Sequence, residues 1–385
     1  MSEPWKILTA LTLARAGMGF QFQSVASVAP FLTRDLGLDK TQLGWLIGLY
    51  LLPGVFIALP SGLLGARFGD KRVVLAGLLL MALGGLGLAL SGSFAGANAA
   101  RFIGGTGAVI LNVLLTKMVA DWFDGKERLL AMAVLVNAWP IGIGVALLTL
   151  GVLGEAQSWR LAIAMTAIYA ALGMLLVSLT YRKPPTASTQ PVAGTGLNLL
   201  GRRDWFVLAL ASLPWMLFNA AYQIAVSFLP SFFLERGLGI AAAGAASALN
   251  TLLVIGSVQA GGVLLKRTHQ PDRLCYAAVA GWGATILLLS RSSEPLVWIV
   301  VGGLIGGLPA GAFVALPTQV LRPEQRAPGM GVFYTFYYLG CALLPALAGA
   351  LYDAAATAAA PLWLAAAAAI ACVPALALLR YVASK

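Results

Sequence analysis

The chain has 385 residues, of which 60% are hydrophobic and only 10% charged, with a mean hydropathy of +0.87 and a formal net charge of +11. Soluble domains carry about 25% charged residues, so this composition excludes a water-soluble globule and points to an integral membrane protein in a lipid bilayer. Three cysteines within apolar runs argue against a disulfide framework, and the lone histidine, His269, leaves no cluster for a metal.

The first apolar run starts behind Lys6 and is too long for the core of a signal peptide, so it reads as a span. Spans of about 20 residues are expected near 6–31, 40–64, 73–92, 97–120, 127–150 and 159–181. A polar linker, 182–204, follows, with Pro184, Pro185 and two basic pairs. The second set is expected near 205–233, 241–265, 274–290, 296–320, 328–352 and 360–381. The second set also echoes the first at an offset of 200: Gln23 and Gln223, Ser27 and Ser227, Pro30 and Pro230, Gly37 and Gly237, Gly62 and Gly262, Arg67 and Arg267. The reading is an all-α membrane protein of twelve transmembrane helices in two pseudo-symmetric six-helix bundles, 1–181 and 205–385.

Loops after even-numbered spans, the linker and the tails hold 18 of the 25 basic residues, and the opposite loops hold 5. By the positive-inside rule both termini and the linker are expected in the cytoplasm, with the protein in a bacterial inner membrane. The +11 charge is mostly this topology signal, which leaves no basic face for nucleic acid. The two remaining basic residues, Arg15 and Arg101, fall inside spans one and four.

Between spans two and three lies a short basic turn with Gly62, Leu64, Arg67, Gly69, Asp70, Lys71 and Arg72. With twelve spans as six and six, and with Arg101, Gly104, Gly105 and Gly107 in the fourth, the chain resembles the major facilitator superfamily. Residues 137–144 and 329–334 loosely resemble its cyanate-permease-like branch. The turn departs from the family's signature at Ala66, where an acid is usual; Asp70 is a stand-in unless Lys71 and Arg72 neutralise it. The fifth span keeps only Pro140, Gly142 and Gly144 of the pattern typical of drug antiporters. The resemblance implies that Gly62, Arg67, Gly69, Asp70, Lys71 and Arg72 form a cytoplasmic gate. It also implies that spans one, four, seven and ten line a central cavity.

Helical spacing then nominates the lining. Arg15 shares a face with Met18, Gly19, Phe22 and Ala26, with Gln23 at its edge, and Arg101 shares one with Gly105, Ala108 and Asn112. Span seven offers Trp215, Asn219 and Tyr222, with Gln223 adjacent. Each has a bland alternative: Arg101 capping carbonyls, the amides bonding between helices, and Tyr334, Tyr337 and Tyr338 packing in a core.

All fourteen carboxylates lie in loops or at helix ends. A carrier of cationic drugs would use an intramembrane acid as counterion. Buried arginines without one fit a substrate anion, above all a carboxylate, which a guanidinium grips with two parallel hydrogen bonds. The expectation is a monomeric secondary transporter of a small anion working by alternating access, without cofactor, metal or catalytic residues. The alternative is an efflux carrier for neutral or amphipathic compounds in which both arginines are structural. A transporter-like sensor is disfavoured by the short linker.

Overall fold

The computed structural model describes residues 2–184, 200–322 and 325–383. Most of the expected linker, at 185–199, lies outside them. The first half contains α1 (Glu3–Ser27), α2 (Ala29–Leu36), α3 (Lys40–Leu49), α4 (Gly54–Phe68), α5 (Asp70–Leu90), α6 (Phe94–Trp122), α7 (Gly125–Ala156) and α8 (Trp159–Thr180). The second contains α9 (Arg202–Glu235), α10 (Ile240–Arg267), α11 (Pro271–Arg291), α12 (Pro295–Gly306), α13 (Ala310–Val320), α14 (Arg326–Ala355) and α15 (Ala359–Ala383). Among the described residues, eleven stretches are long and apolar enough to cross a membrane, α3–α4 and α12–α13 each counting as one. The more polar α1–α2 is the twelfth element of the repeat.

Two of the breaks within spans lie at prolines. Pro53 and Pro309 lack the amide hydrogen that a helix interior requires. Around them the chain tightens into three-residue turns, with Gly54 N–H donating to Leu51 O at 2.9 Å and Leu308 N–H to Ile305 O at 3.2 Å. The positions 200 residues away are Leu253 and Val109, and there α10 and α6 run unbroken.

By contacts the chain forms two compact units, Met1–Leu38 with Leu49–Val192, and Asp39–Gly48 with Ala193–Lys385. In the first, α5 packs on α6 and α8, and α1 packs on α7 and α8. In the second, α11 packs on α12 and α15, and α9 packs on α14 and α15. These are the same pairings between equivalent spans, so the sequence repeat is also a repeat of packing. Leu79, Leu83, Leu86 and Leu90 expose one apolar stripe along α5, the face a span presents to lipid.

Residues 39–48 group with the second unit because backbones meet there. A Cβ on Gly44 would lie 2.1 Å from Pro345 O, and one on Gly48 would lie 1.9 Å from Ala342 O. The α3 N-terminus is capped by Asp353 of α14, whose carboxylate accepts from Lys40 N–H at 3.0 Å, Thr41 N–H at 2.8 Å and the Thr41 hydroxyl at 2.6 Å. Both units also cap the end of their third span with an arginine. Arg160 donates to Ala89 O at 3.0 Å and Ser91 O at 2.7 Å. Arg236 donates to Ser290 O at 2.8 Å and to Ser292 O.

Candidate substrate site

In the first unit, α1 is drawn tight against α7. A Cβ on Gly19 would meet Trp139 O at 2.1 Å, and one on Gly142 would meet Ala16 O at 2.0 Å. This approach fixes the Arg15 face of α1 in depth and rotation. Arg15 is 9% exposed, and its Nη1 donates a long 3.4 Å bond to the backbone oxygen of half-buried Asn112 on α6. Arg15 and Asn112 are thus brought together, though through the Asn112 backbone. Gln23, further along α1, is buried.

Arg101 is 2% exposed and belongs to another level of the bundle. Its Nη1 donates to Gln21 O at 2.9 Å and its Nη2 to Phe22 O at 3.2 Å. Its guanidinium lies over the Tyr50 ring, 4.4 Å from the centroid. Along α1 these carbonyls are six to seven residues beyond Arg15, about 10 Å at 1.5 Å per residue.

The network around Arg101 includes residues that the sequence reading missed. The Tyr50 hydroxyl donates to Gln21 Oε1 at 3.1 Å, and Gln21 Nε2 donates to Met81 O at 2.8 Å. Gln21 therefore ties α1 to α5 and to the kink after α3. The available signal was a glutamine in mid-span and a tyrosine three residues before Pro53. The close glycines of the Arg101 motif permit this packing: a Cβ on Gly105 would lie 2.1 Å from Tyr50 O.

In the second unit, Trp215, Asn219 and Tyr222 form a half-buried face of α9, and Gln223 beside them is buried. The Trp215 ring lies nearly parallel to Phe218, Phe333 and Tyr337, with centroids 6.0, 6.2 and 6.2 Å away. Tyr334 meets Phe333 edge-on. Asn219 Nδ2 bonds back to Trp215 O at 2.8 Å, and the Gln223 amide lies beside the buried thiol of Cys341.

The charges of the basic turn are engaged by residues outside it. Asp70 opens α5 and pairs with Lys117 of α6, which also binds Asp121 at 3.1 Å. Lys71 does not neutralise Asp70: its Nζ donates to Ser178 O and Tyr181 O at 2.8 Å each, closing the end of α8. Gly69 sits at φ 89°, a conformation that favours glycine, so it both ends α4 and starts α5. Gly62 lies within α4, Arg67 is exposed with its guanidinium 5.3 Å from the Phe68 ring centroid, and Arg72 is exposed. Among the described residues no group of three or more His, Cys, Asp or Glu side chains is placed to hold a metal ion.

The family description "Major Facilitator Superfamily" matches residues 11–301. The chain belongs to the Major Facilitator Superfamily. Solved structures give the same fold at low identity. A D-xylose-proton symporter matches with a TM-score of 0.79 at 15% identity, covering 97% of each chain. The nucleoside transporter NupG matches at 0.79 and 14%, covering 99% of each. Among curated relatives, the 3-(3-hydroxy-phenyl)propionate transporter of Escherichia coli (strain K12) is 26% identical over 86% of this chain and 83% of its own. The cis,cis-muconate transport protein of Acinetobacter baylyi is 24% identical over 91% and 88%. The cephamycin export protein CmcT of Amycolatopsis lactamdurans is 29% identical over 71% and 54%. This Major Facilitator protein is a transmembrane transporter of small molecules, not an enzyme.

Proposed function

We propose that this protein carries a small organic carboxylate across the bacterial inner membrane by alternating access, as a monomer, with Arg15 as the anion's partner. The observation that carries the reading is Arg15 itself, a guanidinium buried within a span. A charge there costs at least ~2.5–3.5 kcal/mol on insertion scales, so it marks a functional site by default. Support comes from two relatives, matched over more than four-fifths of both lengths, whose names specify carboxylates. Arg101, with its carbonyl acceptors and Tyr50, serves as a structural clamp in this reading, while Gln23 and Asn112 of the same unit contribute polar lining. Residues 62–72 act as the cytoplasmic gate, and both termini and the linker face the cytoplasm.

The test is uptake into proteoliposomes of 3-phenylpropionate, muconate, phthalate and glucuronate, against xylose and uridine as neutral controls. Carboxylate uptake above the controls is expected. Arg15→Lys keeps the charge but loses the planar fork, so binding weakens. Arg15→Gln removes a charged hydrogen bond worth ~1.5–3 kcal/mol, about ten- to a hundred-fold in affinity. Wild-type affinity in folded Arg15→Gln protein would overturn the reading and favour the efflux carrier for neutral compounds.

A further inference from the structure

We infer that the turn joining α10 to α11 binds the phosphate headgroup of an anionic phospholipid. Both helices are long and apolar enough to cross a membrane, so residues 268–270 between them lie at a membrane surface. Lys266, Arg267, His269 and Arg273 are all exposed there, with a single acid, Asp272, among them. The chain from Arg267 to Pro271 covers no more than about 14 Å at roughly 3.6 Å per residue, so these long side chains gather around one turn.

The one acid is already engaged. Both Asp272 oxygens accept from Arg380, Nε and Nη2 each at 2.8 Å, and Arg380 Nη1 donates to Gln319 Oε1 at 3.0 Å. Among the described residues, Lys266, Arg267 and Arg273 form no salt bridge. Lys266 and Arg267 close α10, where the helix dipole favours a cation. Arg273 has no such reason for its place. It is the third residue of α11, at the positive end of that helix, where the first amides have no intrahelical acceptor. Lys71 also stands in a first turn, that of α5, but it donates to Ser178 O and Tyr181 O. Three outward cations and an open helix end together call for an anion with several acceptor oxygens, as a phosphate has.

The surface beside the turn makes that phosphate a lipid's. At 3.6 residues per turn, Arg273 shares one exposed face of α11 with Ala280, Ala284 and Leu288, while the rest of the helix packs on α12 and α15. An apolar face of this kind meets lipid. A headgroup held at Arg273 therefore has its acyl chains along the helix that bears the arginine, a contact that a soluble phosphate lacks.

The experiment titrates full-length protein in detergent with phosphatidylglycerol, phosphatidylcholine or inorganic phosphate and follows bound lipid by native mass spectrometry. Phosphatidylglycerol should bind in preference to phosphatidylcholine, and more weakly as salt is raised. Lys266→Gln, Arg267→Gln and Arg273→Gln should each lower the affinity of the tightest phosphatidylglycerol about fivefold, and the triple variant on the order of 100-fold. Arg273→Lys should keep most of it, and Arg291→Gln, at the far end of α11, should leave it unchanged. The single variants carry the test if the triple variant does not fold. Wild-type phosphatidylglycerol affinity in all three single variants, or equal retention of phosphatidylcholine, would overturn the inference. Displacement of the lipid by inorganic phosphate at a similar concentration would overturn it in favour of a soluble anion.

Discussion

The guanidinium of Arg101 lies 4.4 Å from the ring centroid of Tyr50, and both side chains are enclosed within the first unit. A desolvated cation over an aromatic face gains about 2 kcal/mol, and the same guanidinium donates to two carbonyls. The pair joins α6 to the kink at Pro53, which makes it a fixed point of the bundle.

Three variants test that role. Tyr50→Phe keeps the ring but loses the bond to Gln21, costing about 1 kcal/mol. Tyr50→Leu also removes the cation–aromatic contact and costs about 2 kcal/mol more. Arg101→Gln should lower the yield of folded protein and its melting temperature. Thermal unfolding of size-excluded protein measures all three. An Arg101→Gln protein that melts like wild type but has lost anion affinity would make Arg101 a ligand.

The cap on α3 makes a second prediction. Asp353→Ala deprives Lys40 N–H, Thr41 N–H and the Thr41 hydroxyl of their acceptor. Loss of a helix N-cap costs about 0.5–2 kcal/mol. Asp353→Asn keeps one oxygen and should fall between Ala and wild type in denaturant titrations. Equal stability of all three would show that the cap contributes nothing.

Glycines should divide by what a methyl group meets. Gly105→Ala and Gly142→Ala drive a carbon against Tyr50 O and Ala16 O, an overpacking worth about 1–3 kcal/mol. Gly256→Ala in α10 meets nothing within 4 Å and should stabilise by up to about 1 kcal/mol. Melting points of the three in one detergent give the comparison.

Orientation is testable in intact cells. Gly92→Cys, in the loop before α6, should react with an impermeant thiol reagent added outside, and Ser188→Cys, in the linker, should not. The reverse pattern would invert the proposed topology.

Much of the fold was legible because a bilayer imposes long apolar runs and because the repeat leaves matching residues at 23 and 223 or 37 and 237. The glycines after Arg101 were legible as a motif, and the structure shows what Gly105 does there: it lets α6 come close against the Tyr50 backbone. Asp70 was legible as a charge in the turn, but not its partner, because Lys117 reaches it from a helix 47 residues away. Gln21 was overlooked because a lone amide in a span has no spacing pattern; its role exists only where α1, α5 and the kink after α3 meet. Of the Arg15 face, helical spacing gave the residues, while the contact with Asn112 uses a main-chain oxygen that no side-chain pattern encodes.

The arginines that close the third span of each unit carry a lesson about descent. When a gene duplicates, both copies inherit the same open carbonyls, and selection acts on whether they are covered, not on which side chain covers them. Arg160 comes from the sixth span of its unit, whereas Arg236 stands at the end of the first span of the other. A donor gained at either place releases the other to drift. Two halves can thus keep one architecture while their numbering of equivalent duties comes apart, and residues that share a task need not sit 200 positions from each other.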